Sequence, residues 1–463
     1  MSILINNKHC SKIHFTGIFG SGMSAIAQYL RWNGLEISGS DRMYKSKDTE
    51  EIANKLLYTG CSLYPQNGSA VSENTDILCI SSAIEDSNPD ILSAKSHGVQ
   101  IVHRSDLLSA IVSSKKTVAV AGTSGKSTVT AMIFEFMTHC GLDPSLISGA
   151  NLLSLEKKGF IGNAYKGNSR YLIIEADESD GSLIKYKPFI SLFLNVSKDH
   201  KTVPEVVSLF DKLANQSVVS IVNADDPNLT DIKKTLTFSL NTEADWTPQQ
   251  IDSDPLSFQF IHNSSHFVLP LPGLHNLSNC AAALCTCEYL SCNEQKLEEA
   301  VKSFQGVTRR FSINKTKQGI TVIDDFAHNP EKIKAAINAA RRISNKLFVI
   351  YQPHGYGPTR FLKNEYIEVF QKSLTDSDSL YLLPIYYAGG TAQKDISSQD
   401  LINELSMNSF KACAPADRDI VLNSIKTTAQ QGDCILLMGA RDPSLPSFAS
   451  DLVKLFGGKI ITN

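Results

Sequence analysis

Short apolar runs recur along the chain, and segments with helical spacing of apolar residues separate them. The runs are four to seven residues long, which is the usual length of a strand buried on both faces of a parallel sheet. They occupy residues 13–16, 35–41, 77–80, 99–102, 118–121, 190–196, 347–351, 379–383 and 434–438, and two more begin the segments 171–180 and 321–330. This alternation of strands and helices predicts an α/β protein with doubly wound sheets.

The length of the chain indicates several sheets rather than one. With 463 residues, the chain is too long for a single hydrophobic core and suits about three domains. We expect these domains to occupy residues 1–113, 114–312 and 313–463. Changes in the pattern near residues 117, 270 and 310 support such a division.

Composition and charge narrow the function classes. Hydrophobic residues make up 42% and charged residues 20% of the chain, as in an ordinary globular protein. The formal net charge of -3 offers no basic excess for a nucleic-acid backbone. No apolar run has the length of a membrane span, and the N-terminus lacks the pattern of a secretion signal. We therefore expect a cytoplasmic protein without nucleic-acid or membrane partners, and the sequence predicts no particular oligomeric state.

The ten cysteines do not indicate a metal or disulfide framework, because no C-x-x-C pair occurs. Four of them, Cys280, Cys285, Cys287 and Cys292, lie in an alanine-rich apolar segment. In such a segment cysteine usually behaves as a small buried hydrophobic residue.

The apolar run at residues 118–121 leads into a glycine loop and then into a helical segment. The loop and the first helical residues are Gly122, Thr123, Ser124, Gly125, Lys126, Ser127 and Thr128. Such a loop directs backbone N–H groups toward phosphate, while Lys126 adds a positive charge and the Ser127 hydroxyl can bind Mg²⁺. The full phosphate-loop pattern requires glycine where Val120 stands, so a plain strand-turn-helix is the alternative.

A second glycine loop lies near the N-terminus, after the run at 13–16. It contains Gly20, Ser21 and Gly22, and Phe19 occupies the position of the middle glycine in a dinucleotide fingerprint. We expect Phe19 to obstruct close approach of a pyrophosphate and Gly20 to restore the room one residue later.

Polar residues follow two further strands of this first domain. Ser40 and Asp41 end the run at 35–41, and Ser81 and Ser82 follow the run at 77–80. Ligands bind at the carboxyl ends of strands in open parallel sheets, so we expect these side chains to face a ligand. Capping of a helix beyond Pro89 is the alternative for the two serines.

The predicted strand that begins at Tyr171 ends in a cluster of four carboxylates, at Glu175, Asp177, Glu178 and Asp180. Four like charges repel, so a bound cation explains the cluster better than a solvated face. His200 follows the next strand and becomes a third metal contact if it lies beside Ser127 and Glu175.

Two polar pairs mark the approach to the third domain. Asn276 and Asn279 are three residues apart and share a helical face, where carboxamides can bind a purine. Arg309 and Arg310 lie at the expected domain junction, where phosphate contact competes with a surface salt bridge as their role.

These motifs, in this order, resemble the Mur ligases, the ATP-dependent amide-forming enzymes of peptidoglycan synthesis, and most of all their alanine-adding and tripeptide-adding branches. The matching segments are residues 17–24, 39–41, 81–84, 122–128, 175–180, 199–200, 273–276, 309–311 and 324–330. The resemblance implies a Rossmann-like N-terminal domain for a UDP-sugar, a central P-loop ATPase-like domain, and a Rossmann-like C-terminal domain for an amine. It also implies that a carboxylate attacks ATP to form an acyl phosphate, which an amino group then attacks.

The resemblance assigns roles by position. Lys126, Glu175 and His200 are catalytic, and Ser127, Glu175 and His200 bind Mg²⁺. The loop 122–128 contacts ATP together with Asn276, Asn279, Arg310 and Asp325. The UDP-sugar is bound by Gly20, Ser21, Gly22, Ser40, Asp41, Ser81 and Ser82. The amine is bound by His328, His354 and Arg360.

Departures from the family pattern concentrate in the third domain. Gly355 follows His354 where arginine is usual, Gly390 stands where a glutamate normally ends its motif, and Arg441 alters a third motif. In the ATP loop Ser124 replaces histidine, and Lys201 follows His200 without the usual acidic residue. A ligase with another carboxylate acceptor and a degenerate nucleotide-binding relative are therefore the alternatives to a ligase for UDP-N-acetylmuramate.

Overall fold

The computed structural model of the chain describes residues 2–5, 8–198, 201–387, 393–405 and 410–458. The chain forms two compact units. The first comprises Met1–Asp252, Gln259–Pro270 and Ser278–Val307, and the second comprises Ser253–Phe258, Leu271–Leu277 and Thr308–Asn463. Among the described helices, none combines the length and the apolar character needed to cross a membrane.

The N-terminal part of the first unit contains a five-stranded parallel sheet in the order β5-β4-β3-β6-β7. A short antiparallel hairpin, β1-β2, precedes it. The elements are β1 Ile3–Ile5, β2 Lys8–Cys10, β3 Lys12–Thr16, α1 Ser21–Trp32, β4 Glu36–Asp41, α2 Glu50–Thr59, β5 Ser62–Pro65, β6 Ile77–Ile80, α3 Pro89–Ser96, β7 Gln100–His103 and α4 Arg104–Ser113.

The middle part contains a seven-stranded sheet in the order β10-β9-β11-β8-β12-β13-β14. Its pairs are parallel except for β9 with β10. The elements are β8 Lys116–Ala121, α5 Lys126–His139, β9 Ser145–Ile147, α6 Leu153–Glu156, β10 Ala164–Tyr165, β11 Tyr171–Ala176, β12 Ile190–Phe193, α7 Val203–Gln216, β13 Val219–Asn223 and β14 Leu236–Phe238.

A three-stranded sheet, β15-β16-β17, and two helices follow in the chain. These elements are β15 Gln249–Ser253, β16 Phe258–His262, β17 Ser265–Leu269, α8 Leu274–Tyr289 and α9 Glu294–Lys302. The four cysteines of α8 and the segment after it are buried and free, which confirms the prediction that they behave as small hydrophobic residues.

The second unit contains a six-stranded sheet in the order β18-β19-β23-β20-β21-β22, parallel except for β18 with β19. Its elements are β18 Ser312–Lys315, β19 Thr321–Asp325, α10 Pro330–Arg341, β20 Leu347–Gln352, α11 Tyr356–Phe361, α12 Lys363–Ser373, β21 Ser379–Leu382, α13 Ser398–Leu405, β22 Lys411–Cys413, α14 Arg418–Thr428, β23 Cys434–Gly439 and α15 Leu445–Leu455. The doubly wound α/β architecture is confirmed.

One local expectation is corrected by the structure. The strand predicted at 190–196 ends at Phe193, because the following residues leave the sheet to contact the glycine loop after β8. The partly buried Phe19 packs against the hydrophobic core of the first unit, and its effect on the approach of a pyrophosphate stays a prediction.

A partly buried carboxylate joins α5 to α6 and to the segment that follows α9. Glu135 accepts hydrogen bonds from the Ser154 hydroxyl at 2.5 Å and from the Gln305 backbone N–H at 3.4 Å. Burial outweighs these bonds and raises the pKa of Glu135 to about 7. The charged form is therefore the less favourable one in the folded chain.

We predict that Glu135→Gln stabilises the protein relative to wild type as the pH rises. Between pH 4.5 and 7 the folded state binds more protons at Glu135 than the unfolded state, so the wild-type free energy of unfolding falls across this window. The stability difference between variant and wild type should grow by about 1–3 kcal/mol from pH 5 to pH 8. Urea denaturation at both pH values measures it. The exposed Glu73→Gln should show no such growth, and equal growth in both variants contradicts the assignment.

Candidate functional site

The glycine loop of the middle sheet joins β8 to α5 through two glycines with positive φ angles. It begins after β8 ends at Ala121 and closes where α5 begins at Lys126. Gly122 and Gly125 adopt φ angles of +154° and +87°, which residues with a β-carbon rarely adopt. A β-carbon on Gly125 would also collide with the carboxamide oxygen of Asn279. Asn279 therefore lies directly against the loop, and its contact with ATP stays a prediction.

Lys126 lies beneath this loop in a nearly buried ion pair. Its Nζ atom donates to Glu178 Oε2 and to the Gly122 carbonyl, both at 2.7 Å, and lies 3.9 Å from Asp177. Burial acts against the positive charge, but Glu178 and Asp177 outweigh it and raise the pKa of Lys126. The lysine is therefore charged and oriented at the mouth of the loop.

Ser127 and Glu175 meet beside this lysine. The parallel register of β8 and β11 sets Glu175 opposite Val120, and the Ser127 hydroxyl donates to Glu175 Oε2 at 3.0 Å. The other carboxylate oxygen accepts bonds of 2.7 Å from the Ser148 hydroxyl and the Gly149 N–H. A serine oxygen and an oriented carboxylate oxygen thus lie together, and such oxygens are the ligands that Mg²⁺ prefers.

Residues that follow β12 also contact the glycine loop. Asn195, just after β12, accepts a hydrogen bond from the Ser124 N–H at 2.8 Å and donates to the Ser124 carbonyl at 3.1 Å. The Thr123 hydroxyl donates to the Ser197 carbonyl at 3.3 Å and accepts from the Ser197 N–H at 3.0 Å. The hydroxyl oxygens of Ser124 and Ser197 are buried without a hydrogen-bond partner in the described part of the chain. The loop therefore offers polar groups that its own structure does not use.

The predicted third metal contact, His200, lies with Asp199 outside the described residues. Among the residues that are described, no three His, Cys, Asp or Glu side chains form a metal-ligand cluster. The donor set that the structure provides is the oxygen pair of Ser127 and Glu175, and the role of His200 stays a prediction.

The N-terminal glycine loop lies at the carboxyl edge of the five-stranded sheet. The N–H groups of Gly17 and Ile18 donate to the Ser40 carbonyl at 2.8 and 3.1 Å. Gly20 precedes α1 in an extended conformation, and no side chain caps the helix there. Asp41 accepts backbone bonds from Phe19 at 3.1 Å and from Met43 at 2.9 Å. Asp41 therefore orders the loop, in addition to any contact that it makes with a ligand.

The hydroxyl of Ser40 bonds to Asp90, a fully buried residue that the sequence analysis did not single out. Asp90 also accepts from the Thr16 hydroxyl at 3.0 Å and the Gly68 N–H at 2.9 Å, and His14 lies 3.8 Å away. Burial opposes the charge, but the contacts with His14 and Ser40 lower the pKa of Asp90 overall. One carboxylate thus connects the ends of β3 and β4 to the loop after β5.

The serine pair after β6 does not cap α3, since the side chain of Asn88 caps that helix. Ser81 and Ser82 directly follow β6, and their contact with a ligand stays a prediction. A side chain from α4 reaches the N-terminal glycine loop. A β-carbon built on Gly22 would lie 2.7 Å from Arg104 Nη1, so this guanidinium contacts the start of α1.

A buried polar contact fixes α1 to the middle part of the first unit. Gln28 Nε2 donates to Asn163 Oδ1 at 2.9 Å, and Asn163 Nδ2 donates to the Ser21 carbonyl at 2.8 Å and to the Ser24 hydroxyl at 2.9 Å. Such groups are rarely buried without partners. The contact therefore sets the position of the N-terminal loop relative to the middle sheet.

In the second unit, the two junction arginines have different surroundings. Arg309 is buried and donates to both oxygens of Asp324 at 3.2 Å and to the Gly439 carbonyl at 2.7 Å, which is a structural role. Arg310 stacks over the ring of Phe326 at 4.6 Å. Asp325 accepts backbone bonds of 2.7 Å from Phe311 and Ala327. Asn276 belongs to this unit and donates to the Pro272 carbonyl at 2.8 Å.

The predicted amine-binding residues are only partly brought together. The rings of His328 and His354 lie 5.4 Å apart, after β19 and β20 respectively. Arg360, on α11, forms a half-exposed ion pair with Asp395. Gly390, in the altered motif of this region, lies outside the described residues.

Comparison with known families accounts for nearly the whole chain. Residues 12–116 match the Mur ligase family, catalytic domain. Residues 120–287 match the Mur ligase middle domain, and residues 309–441 match the Mur ligase, glutamate ligase domain.

Individual relatives match nearly the full length of the chain. The UDP-N-acetylmuramate--L-alanine ligase of Geotalea daltonii is 31% identical over 448 residues, which cover 93% of this chain and 95% of the relative. The enzyme of the same name from Acetivibrio thermocellus is 31% identical over 463 residues and 96% of each chain. The solved UDP-N-acetylmuramate-alanine ligase of Thermotoga maritima shares the fold, with a TM-score of 0.78, 24% identity, and coverage of 96% and 98%. The chain belongs to the Mur ligase family.

Proposed function

We propose that this chain is an ATP-dependent ligase that joins the carboxylate of UDP-N-acetylmuramate to the amino group of L-alanine or of a related amino acid or short peptide. The arrangement of Lys126 and Ser127 beside Glu175 and Glu178 is the observation that carries this proposal. The names of the relatives supply the substrate class. ATP dependence favours the cytoplasm as the place of reaction. We also propose that residues 1–113, 114–312 and 313–463 form the UDP-sugar, ATP and amine domains.

The loop 122–128 would bind the triphosphate of ATP. Its backbone N–H groups and the start of α5 favour an anion, and Lys126 can transfer its hydrogen bond from Glu178 to a phosphate oxygen. Asn279 would contact the adenine side from its place against Gly125. Asn276, Arg310 and Asp325 are proposed ATP contacts as well.

Ser127 and Glu175 fit a magnesium ion, because both offer oxygen atoms and Glu175 is already oriented by Ser148 and Gly149. His200 would complete the set as a neutral imidazole. A bound Mg²⁺ supplies charge neutralisation for the phosphate oxygens. The chain's own contribution is to orient these oxygens and to place Lys126 beside them.

A carboxylate is a poor electrophile, so it must first be converted to an acyl phosphate. The positive charge of Lys126 and of the metal is needed because the carboxylate and the triphosphate are both anions. An oxygen of the substrate carboxylate attacks the γ-phosphorus of ATP, and ADP leaves. The amino group then attacks the acyl carbon and loses a proton, and inorganic phosphate leaves with the former carboxylate oxygen. Lys126 would stabilise the negative charge on the transferring phosphoryl group.

The N-terminal sheet and the sheet of the second unit would bind the other two substrates. Gly20, Ser21, Gly22, Ser40, Asp41, Ser81 and Ser82 would bind the UDP-sugar at the edge of the N-terminal sheet. His328, His354 and Arg360 would bind the amine. The altered residues Gly355 and Arg441 lie in the proposed amine domain.

We predict ADP release when the protein is incubated with ATP, Mg²⁺, UDP-N-acetylmuramate and L-alanine, and no release when the sugar nucleotide is omitted. A panel of glycine, L-serine, L-alanine and the tripeptide L-alanyl-γ-D-glutamyl-meso-diaminopimelate identifies the preferred amine by kcat/KM. Release with another carboxylate but not with UDP-N-acetylmuramate contradicts the proposed acceptor. No release with any pair favours the degenerate nucleotide-binding relative.

We predict that Lys126→Ala lowers kcat by at least about 100-fold, because the transferring phosphoryl group loses its nearest positive charge. Coupled ADP detection measures the rate. Lys126→Arg keeps the charge and should retain more activity than the alanine variant.

The matched control is Lys115→Ala, which removes another partly buried lysine of the same region whose Nζ donates to the Ser169 carbonyl. It should leave kcat within about threefold of wild type. A thermal melt establishes that both variants fold. Unchanged turnover in a folded Lys126→Ala protein would remove the lysine from the mechanism.

A further inference from the structure

Two cysteines that are far apart in the sequence come together at the end of the helix that begins in the glycine loop. Cys140 directly follows α5, and Cys292 lies between α8 and α9. The Cys140 thiol interacts with the Cys292 thiol and accepts a hydrogen bond from the Asn293 backbone N–H. Both cysteines are free in the structure. The fold therefore creates a thiol pair that no spacing in the sequence indicates.

Each cysteine of this pair is held in a turn at the end of a helix. The Cys140 N–H donates to the Phe136 carbonyl at 2.9 Å, and the Cys292 N–H donates to the Cys287 carbonyl at 3.0 Å. Asn293, the next residue, caps the N-terminus of α9 with its side chain. Hydrogen bonds of this kind fix the backbone where a helix ends. The positions of the two thiols are therefore set by the backbone on both sides.

Contacts between α5 and the segment around α9 hold the two turns against each other. The His139 Nε2 atom lies 3.1 Å from Glu299 Oε2. The rings of Phe136 and Phe304 meet edge to face, with 6.2 Å between their centroids. These contacts join the last turn of α5 to α9 and to the residues just after it. A bond between the two thiols would therefore connect parts of the chain that already pack together.

The pair can be reached by a small reagent through one of its members. Cys140 is partly exposed, whereas Cys292 is buried, with 8% of its surface exposed. The neighbouring Cys287 is buried completely. Cys140 is therefore the thiol that a reagent in solution meets first.

Neither a metal nor a nearby base activates the Cys140 thiol among the described residues. The neighbouring Cys292 thiol and burial raise the pKa of Cys140, and the smaller effect of Lys296 acts in the opposite direction. The thiolate is the attacking form of a cysteine, so this pair reacts slowly near pH 7. It therefore differs from a fast peroxide sensor and suits slow exchange with another disulfide.

We propose that Cys140 and Cys292 form a reversible disulfide by exchange with a low-molecular-weight disulfide such as oxidised glutathione. The Cys140 thiolate attacks one sulfur of the reagent and releases one reduced thiol. The Cys292 thiolate then attacks the Cys140 sulfur of the mixed disulfide, and the second reduced thiol leaves. The two protons of the cysteines end on the two released thiols. The protein is thus oxidised by two electrons and the reagent is reduced by two.

The disulfide would brace the helix that begins at the glycine loop. α5 begins at Lys126, and Asn279, on α8, lies against Gly125 at that end. The disulfide would join the opposite end of α5 to the turn after α8. It would close a loop of about 150 residues, and closing a long loop removes much freedom from the unfolded chain. Because the two thiols already meet, oxidation should stabilise the protein without displacing the glycine loop.

The first test maps the bond in the wild-type protein. The reduced protein is incubated with oxidised glutathione at about pH 8.5, where thiolate is more abundant. Free thiols are then blocked with N-ethylmaleimide in urea, and the peptides from a glutamate-specific protease are identified by mass spectrometry. Cleavage after Glu288 separates Cys287 from Cys292.

We expect the main product to join the peptide of Cys140 to that of Cys292, and dithiothreitol to remove it. Glutathione that stays on Cys140 while Cys292 is blocked by N-ethylmaleimide would overturn the proposal. A bond between Cys140 and Cys287 would overturn it as well.

The second test compares melting temperatures before and after the same treatment. Oxidised wild type should melt at least about 4 °C above reduced wild type, and the same treatment should give no shift in Cys140→Ser. Cys292→Ala provides the same comparison from the buried side, and the melts of the reduced proteins establish that each variant folds.

The matched control is Cys413→Ser, which removes the exposed cysteine of β22 and should keep the full shift. An equal shift in wild type and in folded Cys140→Ser would assign the effect to other thiols and contradict the proposal. A mapped bond that leaves the melting temperature unchanged would overturn the bracing role.

Discussion

The ion pair between Lys126 and Glu178 is the interaction on which the middle of the structure depends. A lysine this deeply placed costs several kcal/mol in lost hydration unless an anion compensates, and Glu178 at 2.7 Å supplies that anion. The same pair directs the ammonium to the mouth of the glycine loop, beside the oxygens of Ser127 and Glu175. A triphosphate is an anion that can take the place of Glu178. The arrangement that stabilises the folded chain is thus also the one that prepares it for a nucleotide.

Much of the fold was predictable because buried parallel strands appear as continuous apolar runs. The run at 347–351 and the strand Leu347–Gln352 differ by one residue. The strands of the sheet β15-β16-β17 were not predicted, since exposed polar residues interrupt them, as in Phe258–His262. The run at 190–196 was predicted too long because local hydrophobicity does not show that Asn195 bonds to Ser124, 71 positions earlier in the chain.

The residues of the candidate site were also only partly predictable from the sequence. Loop residues such as Lys126 and the carboxylate at Glu175 were identifiable from local sequence, because phosphate binding requires glycine, lysine and a hydroxyl at fixed spacing. The residues that contact the predicted site residues were not, because these contacts are made only in the folded chain. Ser148 bonds to Glu175, Asp90 bonds to Ser40, and Arg104 lies against Gly22. Asp90 looks like an ordinary acidic residue in the first turn of a helix, and nothing in its neighbourhood along the chain indicates that it is fully buried.

The central claim is that this edge of the middle sheet activates a carboxylate by transferring phosphorus to its oxygen. The direct measurement uses UDP-N-acetylmuramate with ¹⁸O in the lactyl carboxylate, and follows the label into inorganic phosphate by mass spectrometry after turnover with ATP and the preferred amine. Transfer of one carboxylate oxygen to each phosphate released is the predicted result. Turnover that forms the amide and leaves the phosphate unlabelled would contradict the account.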